Sequence, residues 1–264
     1  MSVTQQTPLL AVDIGNSRMK LGLFESFDTP TEQLPRPMRT CELSTLDEPF
    51  DELITWLQPH TIEALSWRLG TVNLLGSTRL IAWLRERDAA GGLMMLARDD
   101  LPLEVDLERP DMVGVDRLLA AVAVNHLRTP DVPAVIVDLG TAITVDLLSA
   151  SGVFRGGAIW PGIAMAAQAL HEFTDLLPKL EVSSLDEPPS VLGTSTVDAM
   201  RSGLYWGAIG GVKELIARLA DEIGQAPRVF VTGGAAQAFA TRLGPSAEFV
   251  PDLVLAGIAL TSAR

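Results

Sequence analysis

The apolar run Leu9–Val12 breaks at Asp13-Ile14-Gly15, and the run Ala134–Val137 breaks the same way at Asp138-Leu139-Gly140. In each case one or two small polar residues follow (Asn16 and Ser17; Thr141), and a second apolar run departs. Short Val/Ile/Leu-rich runs on both sides of such a break read as strand, tight turn, strand. Glycine carries no Cβ, so the backbone at Gly15 or Gly140 can come close to a ligand. The neighbouring hydroxyls and amide add hydrogen-bond donors, and an aspartate at the strand end can hold a hydrated cation that bridges phosphate oxygens. A single Asp-x-Gly is also an ordinary hairpin turn. Two copies in matching context, the first with Lys20 on its departing strand, point instead to a duplicated phosphate-and-metal clamp whose two turns grip one nucleotide.

The surrounding pattern repeats as well. Apolar residues at three- and four-residue spacing predict helices over "EPFDELITWLQ", "TVNLLGSTRLIAWLRERD" and "GVDRLLAAVAVNHL", with buried strands at "IEALSW" and "GLMMLA". After the Asp138 hairpin come a strand "GVFRGGAI", a helix through "GIAMAAQAL", a long helix from Thr196 to Ile223, a strand "RVFVTGG" and terminal helices. Three strands followed by alternating helices and strands, given twice, predict an α/β protein of two related mixed-sheet domains. The Pro-containing stretch "LRTPDVPA" is the natural seam, dividing 1–128 from 129–264. The last helix is free to pack back on the first domain.

With 264 residues, 47% hydrophobic and 20% charged, the chain can bury a sizeable core. Its formal net charge of −13 argues against nucleic acid as a partner. A nucleotide remains compatible, because a local nest of backbone N–H groups binds phosphate inside an acidic protein. Cys41 is the single cysteine, which excludes an intrachain disulfide and fits a reducing compartment; it reads as inert. "MSVTQQTPLL" lacks the charged start and apolar core of a signal peptide, and no apolar stretch reaches the roughly 20 residues of a membrane helix. The expectation is a cytoplasmic protein without a membrane partner.

Other nucleotide signatures are missing: no Gly-Lys pair marks a P-loop, and no G-x-G-x-x-G opens a helix. His60, His126 and His171 are scattered without zinc spacing. Thr232-Gly233-Gly234, between an apolar strand and a helix, can accommodate adenosine or its phosphates, or serve as a plain turn.

Four segments together resemble the type III pantothenate kinases, members of the actin-like, hexokinase-like ATPase superfamily. "DIGNSRMK" (Asp13–Lys20) is similar to that family's first phosphate motif, D-x-G-N-[ST]-x-x-K, and "PDMVGVDR" (Pro110–Arg117) to its G-x-D-R motif. "DLGTAITVDLLSASGVFRGGAIWPGI" resembles its longest signature, from D-x-G-T-A through G-G-x-I-x-P-G, and "GTSTVDAMRSG" its G-x-x-T segment. The first motif is shared across the superfamily; the combination, in order and over most of the chain, is specific. The resemblance implies a duplicated actin-like (ribonuclease H-like) fold and ATP-dependent phosphorylation of the terminal hydroxyl of pantothenate, the first step of coenzyme A biosynthesis.

It also implies site residues. Asp116 is the expected general base, and Gly114, Val115, Arg117 and Thr196 are expected to bind pantothenate. Asp13, Ile14, Gly15, Asn16, Ser17, Arg18, Met19 and Lys20 are expected to cradle ATP, with Mg²⁺ at Asp13 and Thr141 on the opposite side. Asp138 is the expected position of a monovalent cation, potassium or ammonium, and the site is expected to be completed across a homodimer. The apolar stretch Val115–Val124 is available as a contact surface or as interior. The chemistry agrees: phosphoryl transfer needs positioning, charge neutralisation and a carboxylate beside the attacking hydroxyl, and Arg117 is expected to hold the Asp116 pKa low.

Two positions depart from the family pattern. Leu107 stands where a tyrosine is expected before the G-x-D-R motif, and Asp175 where a small residue is usual. They leave room for a superfamily kinase acting on another small hydroxylated substrate, or for a non-catalytic ATP-binding regulator of the Bvg accessory factor kind. Retention of Asp13, Asp116, Arg117 and Asp138 weighs against the regulator.

Overall fold

The computed structural model describes residues 7–25, 33–45, 50–181, 187–234 and 236–262. The chain divides into two compact units, Met1–Leu127 with Asp252–Arg264, and Arg128–Pro251.

In the first unit β1 (Leu9–Ile14) is the middle strand of five, which is why its apolar run is unbroken up to Asp13. It pairs antiparallel with β2 (Arg18–Phe24), which pairs antiparallel with β3 (Arg39–Ser44). After α1 (Asp51–Leu57), β4 (Ser66–Thr71) joins β1 in parallel. After α2 (Leu74–Arg85), β5 (Leu93–Met95) joins β4 in parallel, giving the order β3-β2-β1-β4-β5. One face, with Leu10, Val12 and Ile14, packs on Leu53 and Leu57 of α1 and Leu80, Trp83 and Leu84 of α2. Each such fully buried side chain is worth about 1.5–3 kcal/mol over leaving it exposed. Then α3 (Val115–Leu127) closes the segment.

The second unit repeats the order. β6 (Ala134–Leu139) is again central, antiparallel to β7 (Ala142–Leu148), which pairs antiparallel with β8 (Phe154–Pro161). Helices α4 (Ile163–Glu172) and α5 (Thr196–Ile223) follow, then β9 (Arg228–Thr232), α6 (Ala236–Leu243) and β10 (Ala247–Phe249). The sheet order β10-β9-β6-β7-β8 is that of the first sheet. α5 runs its full predicted length because both ends are capped: the Ser195 hydroxyl accepts from the Asp198 N–H, and Gly224 stops it at φ +66°.

The last helix, α7 (Leu253–Ser262), packs on the first unit, so the second unit ends at Pro251 and not at 264. The first seven residues of α7 are buried because it lies between the sheet and α3. Gly22 and Gly70 leave room for Leu255, Leu119 and Ile258, and a Cβ at Gly257 would run into the Leu119 carbonyl. The stretch Leu118–Val124 is therefore interior within a single chain and offers no dimer surface.

Other differences are local. "IEALSW" is a 3₁₀ turn at Ile62–Ala64 before the strand begins at Ser66, and the "GLMMLA" strand shrinks to three residues. The edge strand β3 alternates with exposed positions and β10 has only three residues, so they lack a continuous apolar signal. Glu48 and Pro49, at the start of the first expected helix, lie outside the described residues. Burial raises the Cys41 pKa, with Glu52 and Glu42 adding to the effect, so the thiol stays protonated and unreactive. Among the described residues no helix is long and apolar enough to cross a membrane.

Candidate active site

At the first turn the Gly15 N–H donates to the Arg18 carbonyl (3.0 Å), closing β1 onto β2. Every carbonyl from Ile14 to Ser17 has a protein donor. Ile14 O accepts from the Val72 N–H (3.1 Å) and Ser17 O from the Thr45 N–H (3.3 Å). Gly15 O accepts from Asn73 Nδ2 (3.3 Å) and Asn16 O from Thr45 Oγ1 (2.8 Å). With its acceptors engaged by the protein, the turn offers exposed Asn16, Ser17 and Arg18 side chains to solvent. Ile14 and Met19 bury their side chains in the core, so of the expected ATP-binding set these two have only main-chain groups to offer. Asp13 sits half-buried opposite Lys20 in the β1–β2 register. Arg18 (2.8 Å) and Lys20 (3.4 Å) both reach Glu42 on β3. Burial pushes the Glu42 carboxyl up, but the two cations outweigh it and hold it below the usual range. Glu42 was not legible as part of this arrangement, because its partners come from a different strand.

At the second turn the Gly140 N–H donates to Ala142 O (3.1 Å), and Gly162, in the Pro-Gly that opens α4, donates its N–H to Thr141 O (3.0 Å). A Cβ at Gly162 would collide with the Gly140 and Thr141 carbonyls. Asp138 pairs in register with Thr144 on β7 and Thr232 on β9. Gly233, at φ +102°, follows directly, and a Cβ there would lie 2.5 Å from Asp138 Oδ1. The Thr232-Gly233-Gly234 turn is thus brought beside Asp138. The equivalent neighbour of Asp13 on β4 is Gly70. Asp13 and Asp138 occupy corresponding positions in two copies of one hairpin.

Asp116 stands in the first turn of α3, where the helix dipole favours negative charge. Its Oδ1 accepts from the Arg117 N–H (2.8 Å), and a Cβ at Gly114 would strike that same oxygen, so the glycine makes room for the carboxylate. The residue keeps some solvent contact, yet the carboxylate is crowded by protein. Burial therefore raises its pKa, and the Arg117 N–H and charge only partly offset this. The expectation that Arg117 holds the pKa low is corrected: desolvation wins, because one partly exposed guanidinium is a weaker influence than loss of water around the carboxylate. Leu107 is half-buried and Asp175 exposed.

Thr196 is exposed at the first residue of α5, in the second unit. The Ser202 hydroxyl donates to Val191 O (2.7 Å) and the Trp206 ring N–H to Pro189 O (3.1 Å), tying the preceding segment to the helix. No group of three His, Cys, Asp or Glu suited to a metal exists among the described residues. Single carboxylates at Asp13 and Asp138 suit a cation that keeps most of its waters and takes its other ligands from phosphate.

A duplicated five-stranded mixed sheet, here with an Asp-bearing hairpin in each copy, is the actin-like fold. Solved structures share the fold. A chain of the PilM–PilN type IV pilus biogenesis complex aligns at TM-score 0.55 and 11% identity, over 98% of this chain and 99% of that one. The ethanolamine utilization protein EutJ from Carboxydothermus hydrogenoformans aligns at 0.50 and 14%, over 97% and 90%.

Within that class the sequence is more particular. The family model for type III pantothenate kinase matches residues 9–218. Proteins named type III pantothenate kinase from Rhodospirillum rubrum (38% identical, 97% of this chain and 98% of that one) and Dehalococcoides mccartyi strain CBDB1 (36%, 95% and 93%) are similar along nearly their whole length. The chain belongs to the type III pantothenate kinase family.

Proposed function

We propose that this protein phosphorylates pantothenate at its terminal hydroxyl with ATP, yielding 4'-phosphopantothenate and ADP. The observation that carries the reading is Asp116: a crowded carboxylate at a helix start, with a glycine that makes room for it and an arginine beside it, in a chain of this family. Asp116 takes the proton of the attacking hydroxyl as its oxygen bonds to the γ-phosphorus and the bond to the ADP oxygen breaks. A base whose pKa is raised toward working pH is a stronger proton acceptor than an ordinary aspartate.

Gly114, Val115, Arg117 and Thr196 hold the pantothenate. The turn Asp13–Lys20 and Thr141 hold the phosphates. Asp13 would hold Mg²⁺, which would supply neutralisation of the charge on the phosphoryl oxygens, and Asp138 would hold a monovalent cation. The test is ADP release from MgATP with pantothenate, in potassium against sodium. Release that needs both pantothenate and potassium is the expected result. ATP binding without turnover on pantothenate would move the reading to another hydroxylated substrate, with the half-buried Leu107 the first position to exchange.

A homodimer completes the reading. The second unit exposes Phe173 (83%), Leu176 (91%) and Leu192 (77%), large apolar side chains that a partner subunit would cover. Leu176→Glu is expected to give a monomer by sedimentation with activity reduced at least tenfold. A variant that stays dimeric and active would place the contact elsewhere.

A further inference from the structure

Asn73 lies outside every motif so far described, at the N-terminal cap of α2. Its Oδ1 accepts from the Gly76 N–H (3.0 Å), and its Nδ2 donates to Gly15 O (3.3 Å) and, more weakly, Asn16 O (3.5 Å), nearly sixty residues away in sequence. The amide orientation is dictated by these partners: reversed, it would set a donor against the Gly76 N–H and an acceptor against two carbonyls. Its backbone is fixed too, since the Thr71 hydroxyl accepts from the Asn73 N–H (3.1 Å) and donates to the Asn73 carbonyl (3.0 Å). Gly76 lets the first turn of α2 come close, as a Cβ there would sit 3.1 Å from Ile14 Cγ2 and 3.4 Å from Asn73 Cγ. Thr45, itself buried, holds the same turn through Asn16 O (2.8 Å) and Ser17 O (3.3 Å).

We infer that Asn73, with Thr45, is a positioning residue for nucleotide: it holds the Gly15 and Asn16 carbonyls away from the phosphates so that the turn presents donors and not acceptors to them. The physical reason is electrostatic. A peptide carbonyl turned toward a polyphosphate repels it, and a turn of three residues that includes a glycine has the freedom to rotate its peptides unless their oxygens are tied. The second turn meets the same need by other means, through the Gly162 N–H on Thr141 O. The inference rests on the phosphate role of the Asp13 turn.

The experiment compares wild type, Asn73→Ser and Thr45→Val. Serine keeps a helix-capping oxygen but cannot reach the Gly15 carbonyl, and valine keeps the shape of threonine without its donor. KM for MgATP and for pantothenate, kcat, thermal midpoint and calorimetric affinity for a non-hydrolysable ATP analogue are measured for each. Each variant is expected to raise the MgATP KM and the analogue Kd about fivefold, as the loss of one such hydrogen bond would, with the pantothenate KM within twofold of wild type. Unchanged nucleotide affinity in both variants overturns the inference and leaves Asn73 a helix cap only. A parallel rise in both KM values with a lowered thermal midpoint overturns it in favour of general loosening. Wild type that binds no analogue at all overturns the phosphate role of the turn, and the inference with it.

Discussion

Asp116→Asn lowers kcat by on the order of 10²–10⁴-fold while melting no lower than wild type at neutral pH. The two halves of that result have one cause. Burial raises the Asp116 pKa above its unfolded value, so the folded chain binds this proton more tightly than the unfolded chain does. The group's contribution to stability is then full below the ordinary aspartate range and is lost as pH rises through the raised value. Above the raised pKa the ionised carboxylate is a burden on the fold. Asparagine removes that burden, and its Oδ1 can still accept from the Arg117 N–H. The same shift sets the acid limb of kcat/KM, where activity falls as pH drops through the raised pKa and the base becomes protonated. An acid limb that persists unchanged in residual Asp116→Asn activity, or a variant that retains full turnover, would remove Asp116 from the role of base. A variant that unfolds would show that the carboxylate carries structure.

Gly162→Ala is the second large effect. The added Cβ would meet the Gly140 and Thr141 carbonyl oxygens, both backbone, so neither can swing aside. Relief requires the turn after Asp138 to shift or α4 to back away, and the Gly162–Thr141 hydrogen bond weakens with either. Overpacking of this kind costs about 1–3 kcal/mol of stability. A displacement approaching 1 Å at a positioning element costs about 100-fold in rate. Paired activity and melting curves check this. Activity within twofold of wild type despite a lowered midpoint would mean that the second turn takes no part in catalysis.

The parts of this molecule that were legible in sequence are those written in one local stretch. β1 and β6 are central strands, so both faces are covered and their apolar runs are unbroken until the aspartate. Asp116 announced itself through Gly114 and Arg117, which act on it across two residues. The long helix Thr196–Ile223 was legible because its periodicity and both caps are local. β3 and β10 were not, since an edge strand alternates or is too short to carry a pattern. The expected pKa direction of Asp116 reversed: desolvation depends on what packs around the carboxylate, and that is not a property of neighbours in sequence.

Sequence by itself therefore determined the duplicated hairpin, its two aspartates, the helix that carries Asp116 and the family to which they belong, because each depends on residue types at short spacing. Tertiary structure alone decided that α7 returns to seal α3 against the first sheet, that Glu42 holds Arg18 and Lys20, and that Asn73 and Thr45 tie the carbonyls of the Asp13 turn. Those outcomes rest on hydrogen bonds and close approaches between segments far apart in the chain. Their partners become neighbours only when the sheets form, and no local pattern encodes which distant carbonyl a capping asparagine will reach.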